Sequence, residues 1–230
     1  MKRRVFFSLL LIGLVFVGSL PAQILEGNAA ERFMHGCEMV RYTARTPFPN
    51  FVLLRAGMEV PSGQIPQLLQ KMYRLGEAGN FELTTHSDDQ LGFIHQKLQQ
   101  THAGFPVEGG ELNVHLRNDG LHSLNGDVFP ISGLATTPAI SASAALKAAT
   151  DVVGATLYRW ELEEENRFLR FETGDPMATW YPTGTLVYAP KGGIPRAENY
   201  VLAWKFDVYA AEPLSRDWVY VDANTGEVIW

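Results

Sequence analysis

Residues 99–120 read QQTHAGFPVEGGELNVHLRNDG, and the fold class is decided by how this stretch is read. Two extended segments flank Gly109-Gly110, and Asn118-Asp119-Gly120 turns the chain into another strand. From Glu111 to Leu116 the pattern alternates, with Leu112, Val114 and Leu116 on one side and Asn113 and His115 on the other. A period of two describes a strand buried on one face. Asn-Asp-Gly supplies the positive-φ turn that lets Leu121 to Phe129 pair back. The stretch contains no nucleophile–base pair and no metal-ligand spacing.

Upstream, Phe81 to His86 also alternates, Asp88-Asp89-Gln90 turns the chain, and Leu91 to Thr101 reads as a long strand. Ahead of these, Ile65, Leu68, Leu69, Met72, Tyr73 and Leu75 recur at helical spacing, with Ser62 as N-cap and Gly76 as a left-handed stop. One helix followed by an antiparallel meander is the expectation. Residues 23–61 form an N-terminal extension punctuated by Pro47, Pro49 and Pro61, with a short strand at Phe51 to Leu54. It reads as extended or poorly ordered.

Downstream, Pro130 to Ile140 is rich in Pro, Gly, Ser and Thr and reads as a linker. Ser141 caps a second helix that turns Leu146, Ala149, Val152 and Val153 inward and stops at Gly154. The rest reads as strands: Arg159 to Thr173, Thr185 to Ala189, and above all Asn199 to Ala210, where Leu202, Trp204, Phe206 and Val208 share a face. Trp218 to Asp222 and Glu227 to Trp230 flank a hairpin turn at Ala223-Asn224-Thr225-Gly226. The fold class is therefore α+β, as two small domains over residues 62–129 and 141–230. Each is a helix packed on an antiparallel β-sheet.

The first residues describe a leader. Lys2, Arg3 and Arg4 precede the apolar run Val5 to Val17, and small residues follow up to Ala22. This is the pattern of a secretory signal peptide over residues 1–22, with cleavage expected after Ala22. The run falls short of the ~20 residues a spanning helix needs, so no stable membrane anchor is expected. Removing it takes three of the 19 Lys and Arg and none of the 25 Asp and Glu, leaving a formal charge of −9. So acidic a chain is a poor partner for phosphate backbones, which excludes nucleic acid. Cys37 is the only cysteine, so no internal disulfide framework exists, and it reads as a small buried or incidental side chain.

Catalytic patterns are missing. No His-Glu-x-x-His occurs, and none of His35, His86, His95, His102, His115 and His122 lie three or four residues apart. Each histidine reads as surface or cross-strand packing, and no metal ligand or cofactor is expected in this chain. No Gly-x-Ser-x-Gly elbow is present, and Gly109-Gly110 and Gly192-Gly193 lead into no phosphate loop. The acidic run Glu161, Glu163, Glu164, Glu165 lacks calcium-loop spacing and reads as a solvated strand edge or turn.

The order of landmarks nevertheless resembles a known family. Leu91-Gly92-Phe93 to His95, Gln99-Gln100, Gly104, Pro106-Val107, Gly109-Gly110, Val114-His115 and Asp119-Gly120 follow one another as in the fungalysin/thermolysin propeptide (FTP) domain. His102, Phe105 and Glu108 depart from it, standing where an aromatic, a smaller aliphatic and an apolar or aromatic residue are usual. The second half is similar to a PepSY domain, through the helix from Ser141, the strand Tyr200 to Tyr209 and the phrase Asp222-Ala223-Asn224-Thr225-Gly226.

In this resemblance Gln99, Gln100, Gly104, Pro106, Val107, Gly109, Gly110, Asp119, Gly120, Asp222, Thr225 and Gly226 are scaffold, not catalytic, residues. It implies the pro-region of a secreted thermolysin-type zinc metallopeptidase precursor, non-catalytic itself. The implied partner is the metalloprotease catalytic domain, in cis or in trans, which would carry the zinc. The chain stops at Trp230, before any maturation junction, so the expectation is a piece of a longer precursor. A stand-alone extracytoplasmic binding or inhibitory module is the alternative.

Overall fold

The computed structural model describes residues 22–196 and 198–230. The expected leader, apart from Ala22, lies outside the described residues. Ala22 is exposed and directly precedes β1, Gln23–Glu26. The chain continues through α1 (Asn28–Phe33), β2 (Cys37–Tyr42), β3 (Pro49–Leu54) and β4 (Val60–Pro61). Then come α2 (Ile65–Tyr73), β5 (Gly79–Asp88), β6 (Phe93–His102), β7 (Phe105–Arg117) and β8 (Gly120–Asp127). The second half comprises α3 (Ala142–Val153), β9 (Leu157–Tyr158), α4 (Glu163–Thr173), β10 (Thr185–Pro190), β11 (Tyr200–Glu212) and β12 (Leu214–Asp222). The fold is α+β.

The strands run in the order β1-β2-β3-β8-β7-β10-β11-β12, with β6 and β5 branching from β7, β4 on β8 and β9 on β11. Among the described residues every pairing is antiparallel except β7 with β10, where Val107 meets Tyr188 in parallel. The halves thus share one sheet, and their only parallel contact lies where they join.

In the first half, Ile65, Leu69 and Tyr73 of α2, followed by Leu75, pack with Leu112, Val114, Leu116, Leu121 and Leu124 of the sheet. The helical stripe and the alternation of β7 therefore meet in one core. Apolar burial on this scale is the main stabilising term of the fold. Tyr73 is fully buried against Phe48 and Phe81, and its hydroxyl donates to Pro49 O at 3.2 Å. That bond satisfies a polar atom which would otherwise be costly to bury.

Several local expectations are corrected. Residues 23–61 are neither loose nor merely extended: Cys37, Val40, Val52 and Leu54 lie in the same core. The prolines sit where strands tolerate them, Pro49 opening β3 and Pro61 closing β4. Ser62 does not cap α2. A 3₁₀ turn over Ser62–Gln64 precedes the helix, and Ser62 Oγ hydrogen-bonds Asp119 Oδ1 at 2.9 Å. The helix ends two residues earlier than expected, on Arg74 at φ 48° rather than on Gly76.

In the second half, Ser141 Oγ accepts from Ala144 N at 3.2 Å and Gly154 closes α3 at φ 64°, as the sequence indicated. Ala145, Leu146 and Ala149 are buried against Phe206, Val208, Val219 and Val221, whereas Val152 points to solvent. Glu163–Thr173 is a helix, not a strand. Three of its four glutamates, Glu163, Glu164 and Glu165, occupy the first turn, where they complement the positive end of the helix dipole. Asn166 anchors it, donating to Trp160 O at 2.8 Å and accepting from Trp180 N at 3.0 Å. Gly174 stops it at φ 69°. After the turn at residues 223–226, the last residues make one bridge, Val221 with Val228, rather than a full strand.

Candidate functional site

The junction of the halves is built by β7. In its second part β7 pairs with β6 on one side and β8 on the other, from Glu111 to Arg117. Towards its start the ladder with β6 breaks. Gln99 faces Glu111 and Thr101 faces Pro106, so Gln100 alone opposes the excursion Val107 to Gly110. Such a bulge leaves backbone groups without ladder partners. The two glutamines supply them.

Gln99 Nε2 donates to the carbonyls of Val107 at 2.8 Å, Gly110 at 3.0 Å and Gln100 at 3.0 Å. The buried Gln100 grips Phe129: Nε2 donates to Phe129 O at 2.7 Å, and Oε1 accepts from Phe129 N at 2.9 Å. A primary amide presents the same donor and acceptor as a peptide unit, so Gln100 acts as one rung of sheet. The glycines make room. Gly109 takes φ 76°, and a Cβ on Gly110 would stand 2.6 Å from Gln100 Oε1. Ala103 and Gly104, at φ 49° and 82°, form the turn between β6 and β7.

The excursion delivers β7 to the second half. Val107 is buried with Phe129, Ile131, Tyr188, Tyr200, Leu202 and Ala223 in one cluster drawn from both halves and the segment between them. Tyr200 donates its hydroxyl to Glu108 O at 2.7 Å, and Lys205 Nζ pairs with Glu108 Oε1 at 2.7 Å. Burial opposes the Lys205 charge, but the hydrogen bonds it donates to Glu108 and Tyr220 outweigh it and hold the ammonium above the usual lysine range. His102 packs edge-on against the Tyr188 ring at 5.2 Å, and desolvation holds its imidazole below the usual histidine range. The segment 130–140 is fastened as well, with Ala139 N and Ile140 N donating to Ala223 O and Tyr188 donating to Ala135 O.

The remaining scaffold residues form two separate turns. Asn118 and Asp119 adopt φ 51° and 59°, whereas Gly120 is needed for space, since a Cβ there would lie 2.7 Å from Glu59 Cβ. Asp222 is buried; its Oδ1 accepts from Asn224 N at 2.9 Å and Thr225 N at 3.2 Å, and Gly226 takes φ 79°. Lys191 lies 3.4 Å from Asp222 and 3.3 Å from Glu227. Thus Gln99, Gln100, Pro106, Val107, Gly109 and Gly110 converge with Ala223, next to Asp222, while Asp119 and Gly120 lie at the opposite end of β7.

These groups position backbone; they do not activate a nucleophile. Cys37 is fully buried, and burial raises its thiol above the usual range, the environment of an inert cysteine. Glu161 caps Tyr158 N at 2.8 Å, and Glu163 pairs with Arg170 at 2.9 Å. Among the described residues no three His, Cys, Asp or Glu converge as a metal cluster. Sequence reasoning missed the Glu108–Lys205 pair, although Glu108 had stood out as a departure. His95 and His115 are cross-strand partners, within the surface or cross-strand reading of the histidines, but no linear spacing encodes which two meet.

Comparison with known families agrees with this geometry. Residues 79–128, from β5 through β8, match the family described as Fungalysin/Thermolysin Propeptide Motif. Residues 139–229 match the one described as Peptidase propeptide and YPEB domain. The chain carries an FTP motif followed by a PepSY domain. The glutamine clamp, its bulge and the His95–His115 pair all lie inside the FTP match. The partner strands β10 and β11 belong to PepSY. The chain is also similar to the Bacillus megaterium YpeB C-terminal domain, at 10% identity over 91% of this chain and 87% of that one, with a TM-score of 0.34.

Proposed function

We propose that this chain is the non-catalytic pro-region of a secreted thermolysin-like zinc metalloprotease, acting on the catalytic domain as inhibitor and folding assistant. One observation carries the reading: an FTP motif and a PepSY domain follow each other in a single chain. Propeptide domains associate with a protease catalytic domain, and PepSY propeptide domains are typically extracytoplasmic, in keeping with the leader-like residues 1–22. No helix among the described residues is long and apolar enough to cross a membrane.

The physics of the role is direct. A pro-region that binds the folded catalytic domain and not the unfolded one stabilises it by mass action. Covalent linkage raises the effective concentration, so modest intrinsic affinity suffices. Among the described residues β5 pairs only with β6, and its other edge would be the place for strand addition. The zinc and the catalytic residues would reside in that partner.

The test adds the purified segment 23–230 to the mature protease encoded with it. Slowed peptide hydrolysis and a raised refolding yield are expected, and no effect on either would refute the reading. The second reading, a module that binds proteins without being joined to a protease, is favoured by the PepSY description, which covers YPEB as well as peptidase propeptides. Binding to the protease without inhibition or folding assistance would support it.

A further inference from the structure

On the face of the FTP sheet away from the core, two imidazoles meet head to head. His95 on β6 and His115 on β7 are direct register partners, and their Nδ1 atoms lie 2.7 Å apart. A hydrogen bond at that distance holds one proton between the two nitrogens. The outer nitrogens are engaged as well. His95 Nε2 lies 3.1 Å from Asp89 Oδ2, and His115 Nε2 lies 3.0 Å from Asn125 Oδ1. Asp89 is held in place, its Oδ1 accepting from Leu91 N at 2.8 Å and Phe93 N at 2.9 Å.

The number of protons this row can hold is limited. Two neutral imidazoles carry one N–H each. His95 then donates from Nε2 to the Asp89 carboxylate, and His115 donates from Nδ1 to His95. His115 Nε2 is left to accept from Asn125, whose amide turns to present its nitrogen. One added proton keeps every contact, with His115 donating to both His95 Nδ1 and Asn125 Oδ1. A second added proton places an N–H on both facing Nδ1 atoms. Two donors make no hydrogen bond, and the rings become adjacent cations. We propose that the His95–His115 pair is an acid-triggered latch between β6 and β7, closed with up to one added proton and opened by the second.

The surroundings favour one added charge and oppose two. Hydrogen bonds from the Phe93 backbone and from His95 hold the Asp89 carboxyl below its usual range, so it stays ionised beside the first charge. Arg117 of β7 lies 5.2 Å from the Phe93 ring, which stacks beside His95. His122 of β8 meets the same ring edge-on at 5.3 Å, and Glu59 lies close enough to feel both His122 and Arg117. Further along the strands, Lys97 and Glu111 balance each other at 2.9 Å. The register neighbours Ser87 of β5 and Ser123 of β8 are neutral, and His86 and Asp88 of β5 stand opposite Gln96 and Ile94 instead.

The two protons act with opposite sign. The first, shared between the rings beside Asp89, supports the closed pair below the ordinary histidine pKa of about 6.5, and that support is lost as pH rises. The second is bound by the open state and not by the closed one, so stability at this end of the sheet falls as pH drops further. The latch lies at the end of β7 remote from the Gln99–Gln100 clamp, so acid loosens the tip of the sheet before the junction. It requires no protease to be attached.

The test titrates the whole chain from pH 8 to pH 4, with nitrogen-15 resonances counting protons on each ring and amide exchange reporting backbone protection. Two coupled steps are expected, and protection at residues 94–96 and 113–116 should fall at least about tenfold across the second. His115→Gln cannot take up a proton and should abolish that fall. Asp89→Asn should move both steps about one pH unit lower. His35→Gln and His102→Phe should leave the fall in place. Should a variant fail to fold, the ring titration of the unmodified chain decides. Independent titration of the two rings, unchanged protection through the range, or an undiminished acid response in His115→Gln would overturn the proposal.

Discussion

Gln100 and Phe129 are joined as two segments of sheet would be, with the side-chain amide of one making both hydrogen bonds to the backbone of the other, at 2.7 and 2.9 Å. The bond pair is buried and spans from β6 to the residues leaving β8.

Replacing Gln100 by Ala strands the Phe129 N–H and C=O without partners. Each orphaned buried group costs about 1–3 kcal/mol, so a loss of about 2–4 kcal/mol is expected from urea unfolding. Gln100→Glu keeps the acceptor but removes the donor and should fall between the two. Equal midpoints for all three chains would contradict the clamp.

Glycine effects should separate by location. A Cβ on Gly126, at φ 141°, would lie 1.9 Å from Glu111 O, so Gly126→Ala should cost at least about 3 kcal/mol or abolish soluble expression. Gly104 has nothing within 4 Å of a built Cβ and needs only its φ of 82°. Gly104→Asn should cost under about 1 kcal/mol, because asparagine tolerates left-handed backbone.

Burial lowers the His102 pKa, which fixes the sign of a pH effect. The stabilisation is full above the ordinary histidine pKa of about 6.5 and is lost as pH falls through the lower folded value. Denaturant midpoints of the natural chain should therefore drop between pH 8 and pH 5. His102→Phe, which keeps the edge contact to Tyr188, should flatten that part of the profile. Parallel profiles for the two chains would exclude His102 as the cause.

The Glu108–Lys205 pair predicts a coupled loss. Glu108→Ala leaves a partly buried cation without its acceptor and should cost about 1–2 kcal/mol, with added protease sensitivity around β10. The double variant Glu108→Leu with Lys205→Met should recover most of the loss. A double variant no better than the single one would show that the pair is not what couples these strands.

Legibility in the sequence tracked how local the cause was. The stripe of α2, the alternation of β7, the Asn118-Asp119 turn and the Ser141 cap depend on neighbours in sequence, and each was readable. α4 misled because Trp160 to Thr173 mixes charge and aromatics without a clear apolar stripe. Its helix rests on a dipole-matched glutamate turn and on Asn166, a polar anchor that periodicity does not weigh. Residues 23–61 looked loose because prolines punctuate them, yet those prolines stand at strand ends. The role of Gln99, Gln100, Gly109 and Gly110 came only from family resemblance, since the carbonyls they serve are assembled by pairing across the sheet.

The strand β7 gives one polypeptide segment two sets of neighbours, and this ranks the steps of folding. The half of β7 beyond Gly110 can pair with β6 and β8 alone, while Val107 waits for Tyr188. The FTP region by itself therefore keeps an open notch, held in shape by Gln99 and closed only when β10 docks. A chain truncated before β10 would carry that notch exposed to any passing strand.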